Sequence, residues 1–118
     1  MIFDNERIES DYFDTKKNQR QYGKLFAEEL EKMLGFIDSA ESAYDVKMMP
    51  RYHMHLLHGN LDGIYSLSPD NKKSKWRVPA LCMSDEDQWW KPDQNNHEID
   101  VLKKTKKFKI KEIMDYHD

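Results

Sequence analysis

Trp76 to Met83, WRVPALCM, is the stretch whose reading decides the fold. It follows the turn signal Pro69-Asp70-Asn71 and the lysines Lys72, Lys73 and Lys75, and it reads as a strand. Side chains alternate across a strand, so Trp76, Val78, Ala80 and Cys82 share one face and Arg77 points to the other. Pro79 has no N–H to give to a ladder, so it requires a bulge or an edge on the side it faces.

Two shorter strands are expected upstream. Tyr52 to His58 is the first and Ile64 to Ser68 the second, with Gly59-Asn60-Leu61-Asp62-Gly63 as the turn between them. Before these, Tyr22, Leu25, Phe26, Leu30, Met33, Leu34 and Ile37 recur at helical spacing, with Glu28, Glu29, Glu31 and Lys32 on the opposite face. The spacing predicts a helix over 18–37, opened by a capping box of Asn18 and Gln21 and weakened near its end by Gly35. Ser39 is positioned to cap a second helix to Val46, with Ala40, Ala43 and Tyr44 inward and Pro50 beyond it. Met1 to Phe3 reads as a short strand or a flap, and Asp4 to Asp14 as polar and weakly patterned.

Downstream, Ser84 to Lys107 is a long polar connection that holds Trp89, Trp90 and Pro92. A last strand begins at Phe108 and delivers Asp115, Tyr116 and His117. At 118 residues the chain has room for one core. Its 3 Trp, 6 Tyr and 5 Phe help to fill that core in a sequence that is 35% charged. The net charge of −3 does not advertise nucleic-acid binding, although Lys103 to Lys111 carries a local run of lysines. That run has two readings: a solvated edge strand, or a contact for a phosphate backbone. The single cysteine, Cys82, excludes an internal disulfide. No apolar run nears the ~18 residues of a membrane span. The acidic start MIFDNERIESD does not resemble a signal peptide, so a cytoplasmic, membrane-free protein is expected.

The chemistry-bearing side chains concentrate on the predicted sheet: His53, His55 and His58 on its first strand, Arg77 on its third and His117 after its last. Imidazole has the pKa to take or give a proton near neutrality. Guanidinium is always charged and offers a fork of donors to phosphate oxygens. Such a set suits RNA cleavage without metal. A 2′-hydroxyl loses its proton and attacks the adjacent phosphorus, and the leaving 5′-oxygen gains one. A metal site is the competing reading, with Cys82 approaching His53, His55 and His58. On a strand, however, His58 has the opposite parity to His53 and His55, so the spacing does not by itself close a tetrahedral set. No metal and no cofactor are expected.

Several stretches together resemble one family. They are Phe36-Ile37-Asp38-Ser39-Ala40, the segment His55-Leu56-Leu57-His58-Gly59-Asn60-Leu61-Asp62-Gly63-Ile64-Tyr65-Ser66-Leu67, then Trp76-Arg77-Val78, and the terminal Asp115-Tyr116-His117. These resemble HigB-type toxins of bacterial toxin–antitoxin modules, the plasmid-maintenance killer proteins of the RelE/ParE superfamily. The family carries H-P-L-K-G-D-x-x-G-Y-x-S-I and W-R-I segments and ends in D-Y-H. His58 stands where it has lysine and Leu56 where it has proline.

The resemblance implies a RelE-like α+β fold, with two N-terminal helices packed on a twisted antiparallel sheet of three to four strands. It implies a single domain over 1–118 with 84–107 as an inserted loop. The implied activity is ribosome-dependent cleavage of message in the ribosomal A site. The implied partner is a HigA-like helix-turn-helix antitoxin, through which alone the toxin reaches operator DNA. His117 would act as general base or acid, with His55 as the complementary group. Arg77 would stabilise the transition state, Tyr116 would position the nucleotide and Asp115 would orient the site. His58, Lys75, Lys106, Lys107 and Lys109 are the expected RNA contacts. The alternative is a non-catalytic RelE/ParE-fold binding protein or a gyrase-directed toxin.

Overall fold

The structure, a computed structural model, describes residues 1–93 and 95–115. The strand β4 (Trp76–Met83) occupies the stretch the sequence assigns to it and lies mid-sheet. On one side it pairs with β3 (Tyr65–Leu67), which pairs in turn with β2 (His55–Leu56). On the other side it pairs with β5 (Lys107–Ile110), and β1 (Ile2–Phe3) lies beyond that. The last strand, β6 (Met114–Asp115), runs along β4 past the end of β5. The β1–β5 pair is parallel and the others are antiparallel. The sheet is therefore mixed, with six strands among the described residues in place of the expected antiparallel three or four. Met1 to Phe3 is strand because its partner, β5, lies at the far end of the chain.

Five α-helices occur among the described residues, where two were expected. The predicted helix over 18–37 is two helices, α2 (Thr15–Tyr22) and α3 (Lys24–Ser39). The break is Gly23, whose backbone at φ 95° and ψ 156° is open to glycine and strained for other residues. Asn18 does not cap. It is buried inside α2 and donates from Nδ2 to the Tyr12 carbonyl at 3.0 Å. The cap is Asp14, which accepts from the Lys17 N–H at 3.0 Å.

The first helix, α1 (Glu6–Tyr12), lies in the segment read as weakly patterned. Asn5 caps it, and Ile8 and Tyr12, four apart, bury one stripe. Ser39 closes α3 instead of opening its successor, α4 (Ala43–Lys47), where Ser42 takes the cap position. The strand expected over Tyr52–His58 shrinks to His55–Leu56. Pro50–Tyr52 turns as a 3-10 helix, and His53 is left-handed at φ 47°. The long connection holds α5 (Glu98–Lys104), which buries Val101 and Leu102.

One face of the sheet makes the core. Tyr65, Leu67, Val78, Ala80, Cys82, Phe108 and Ile110 belong to one buried cluster with Phe26, Leu30, Met33, Leu34 and Ile37 of α3, Val46 of α4 and the buried pair of α5. This is an α+β architecture with α3, α4 and α5 packed on one face of the sheet.

Pro79 sits in β4, not at an edge, and the sheet accommodates it with a bulge. Against β5 the register pairs Ala80 with Ile110, while against β6 it pairs Arg77 with Met114, one residue further on. The extra residue falls within 111–113. The Pro79 carbonyl accepts from the Lys111 N–H at 3.0 Å. The reciprocal bond, into the Lys111 carbonyl, is the one proline cannot make. That carbonyl instead accepts from the Tyr12 hydroxyl at 2.5 Å. A residue of α1 thus replaces the missing ladder donor.

Candidate functional site

Ladder register decides which side chains meet. His55 lies opposite Ser66, and Ser66 opposite Pro79. These three share the face turned away from α3, and alternation along β4 adds Arg77 to it. Met83 lies opposite Lys107 and Leu81 opposite Lys109, so both lysines join the same face. His55 and Arg77 are two strands and two residues apart, a backbone separation of about 12 Å. The sequence reading put them on one surface, and the register does so.

His55 is oriented by its backbone surroundings. Its Nδ1 lies 2.7 Å from the His53 carbonyl. A carbonyl only accepts, so Nδ1 carries the proton and the neutral ring has its lone pair on Nε2. His53 is not beside it in a ladder. From its left-handed position it reaches the turn before β4, with Nε2 2.6 Å from Asn71 Oδ1. That turn, from Asp70 to Lys73, has both central residues, Asn71 and Lys72, at positive φ. His58 is exposed and precedes the 3-10 turn Gly59–Leu61.

Arg77 is only 6% exposed. Its Nη1 donates to the Ser74 carbonyl at 2.6 Å and to the Trp76 carbonyl at 2.9 Å. Part of the guanidinium is thus used to fix the turn that leads into β4. Asp115 lies opposite Trp76, on the face away from Arg77 and His55. The bulge puts it there, because a one-residue slip reverses every side chain that follows. Asp115 pairs with Lys75 at 3.4 Å, and Lys75 lies 4.9 Å from the Trp76 ring centroid. Tyr116 and His117 lie outside the described residues.

The expected RNA-contacting lysines are largely in ion pairs. Lys107 meets Asp87 at 2.6 Å and Lys109 meets Asp4 at 3.5 Å, while Lys106 is exposed. Cys82 is fully buried on the core face, away from the histidines, and burial pushes its thiol up to about 12. Among the described residues, no group of three or more His, Cys, Asp or Glu side chains is arranged to hold a metal ion.

Two features of this face escaped the sequence reading. Ser66, between His55 and Pro79, is fully buried, and its Oγ has no hydrogen-bond partner among the described residues. Beside it Ile8, Leu57, Leu61, Ile64, Pro79 and Met114 line a groove enclosing about 220 Å³. Alternation along Ile64 to Ser68 signals which face Ser66 takes, but not that loop 57–64 and α1 close over that side. Among the described residues, no helix is long and apolar enough to cross a membrane. The chain matches no family model, and no curated protein or solved structure is significantly similar to it.

Proposed function

We propose that this chain is a HigB-like toxin, a ribosome-dependent mRNA endonuclease of the RelE type. The observation that carries the reading is the shared face of His55 and Arg77, with β6 paired to β4 so that the chain leaves Asp115 beside Arg77's strand. His55, held through Nδ1, takes the 2′-hydroxyl proton at Nε2 or returns one to the 5′-oxygen. His117 performs the complementary transfer. The 2′-oxygen–phosphorus bond forms as the phosphorus–5′-oxygen bond breaks, leaving a cyclic phosphate. Arg77 supplies positive charge beneath the transition state, Tyr116 positions the scissile nucleotide, and Asp115 with Lys75 anchors the strand that carries the chain end. A HigA-like antitoxin is the partner that restrains the activity, in the cytoplasm and away from membranes.

The ion-paired lysines and the backbone-bound Arg77 favour a second reading, a non-catalytic binding protein of this fold. Induced expression separates the two. The toxin arrests growth and cuts message only when ribosomes are present, and His55→Ala and His117→Ala each abolish cutting in a folded protein. Both variants arresting growth as the parent does removes the catalytic reading.

A further inference from the structure

Trp89 is 41% exposed, yet it is held firmly. The chain reverses after β4 through a tight turn, in which Ser84 N–H donates to the Gln88 carbonyl at 2.7 Å and the Gln88 N–H to Ser84 Oγ at 3.1 Å. An antiparallel bridge then sets Trp89 opposite Met83, and the Trp90 N–H donates to the Cys82 carbonyl at 2.8 Å. Trp90 turns toward the core and Trp89 to the other face. Lys107, Met83 and Trp89 therefore form a row across the sheet on the face of His55 and Arg77. The indole lies against Gly63, where an added Cβ would be 3.0 Å from Trp89 Cζ2. The Lys91 ammonium is 5.5 Å from the ring centroid.

We infer that Trp89, flanked by Lys91 and Lys107, is a base-stacking subsite for single-stranded RNA. It deepens the reading of this face as an RNA-cleaving one and rests on it. An aromatic side chain offers a face to any base, and neighbouring ammonium groups take the phosphates. Lys91 and Lys107 pair with Asp62 and Asp87, at 3.2 and 2.6 Å. Both pairs are exposed enough to be worth little, so phosphate oxygens can displace the carboxylates. Six residues of β4 separate Arg77 from Met83, about 20 Å. One RNA strand of several nucleotides covers both ends of the face.

The test is binding of a uridine dodecamer to the full chain at low salt, followed by tryptophan quenching and by anisotropy of labelled RNA. Trp89→Ala should weaken binding roughly ten- to hundredfold, Trp89→Phe should restore most of it, and raised salt should weaken the parent. Equal binding by Trp89→Ala and parent, or no binding by the parent, overturns the subsite, and a protein-docking role for Trp89 gives the first of these. Loss of binding in Trp89→Ala from a parent that cuts no message keeps the subsite and removes the enzyme. A parent that cuts message and binds the dodecamer no better than Trp89→Ala does the reverse.

Discussion

Gly63 shows how one residue ties two distant loops together. It sits at φ +84°, and an added Cβ would be 2.7 Å from Lys91 Cγ and 2.9 Å from Lys91 Cε. The left-handed backbone is what favours glycine there, and an added Cβ would also push the flexible Lys91 side chain aside. Gly63→Ala should therefore cost about 1–2 kcal/mol in urea unfolding, mostly as backbone strain. Gly35 in α3 has open space around its Cα, and Gly35→Ala should stabilise that helix by up to about 1 kcal/mol. The sequence already separates the two, Gly63 in a turn and Gly35 within a helical stripe, and the positive φ at Gly63 gives the conformational reason for the opposite signs.

At the scale of elements, the bulge opposite Pro79 is the decisive device. The proline withholds one ladder bond, the register slips by one residue, and Tyr12 from α1 takes the orphaned Lys111 carbonyl. Tyr12→Phe leaves that part-buried carbonyl without its protein donor and should cost about 1 kcal/mol. Pro79→Ala restores an N–H beside it. In the double variant the loss should be smaller than in Tyr12→Phe alone, and a thermodynamic cycle of urea midpoints reads the coupling. Strictly additive losses would show that Tyr12 does not stand in for the ladder donor. The same slip turns Met114 to Arg77's face and Asp115 to the opposite one.

At the scale of the whole molecule, buried ionisable groups set the response to alkali. Burial holds the Cys82 thiol neutral up to about 12 against an ordinary 9.0, and it raises the Tyr12 and Tyr65 hydroxyls as well. Between those limits the unfolded chain releases the Cys82 proton while the folded chain keeps it. The unfolded state then binds fewer protons, so stability falls as pH rises from 9.0 toward 12. Each such group contributes at most about 1.4 kcal/mol per pH unit. Urea unfolding at neutral pH and near pH ~10.5 should show the fall, and Cys82→Ala should make it shallower. An unchanged slope in Cys82→Ala would assign the effect to the tyrosines.

The amino-acid sequence by itself determined β4 to the residue, the turn before it, the apolar stripe of α3 and the parity that sets Arg77 apart from Cys82. These are products of local alternation, and a strand's faces follow from its own residues. The helix α1 was also written locally, in Asn5 and the Ile8–Tyr12 pair, but its stripe of two is too short to stand out. Only the tertiary structure decided the rest. The parallel partner of β1, the Asp4 and Asp87 partners of the sheet lysines and the side to which Asp115 turns all depend on residues remote in sequence. A hydrogen-bond register and a charge pair exist only once two segments have met, and no periodicity within either segment records the meeting.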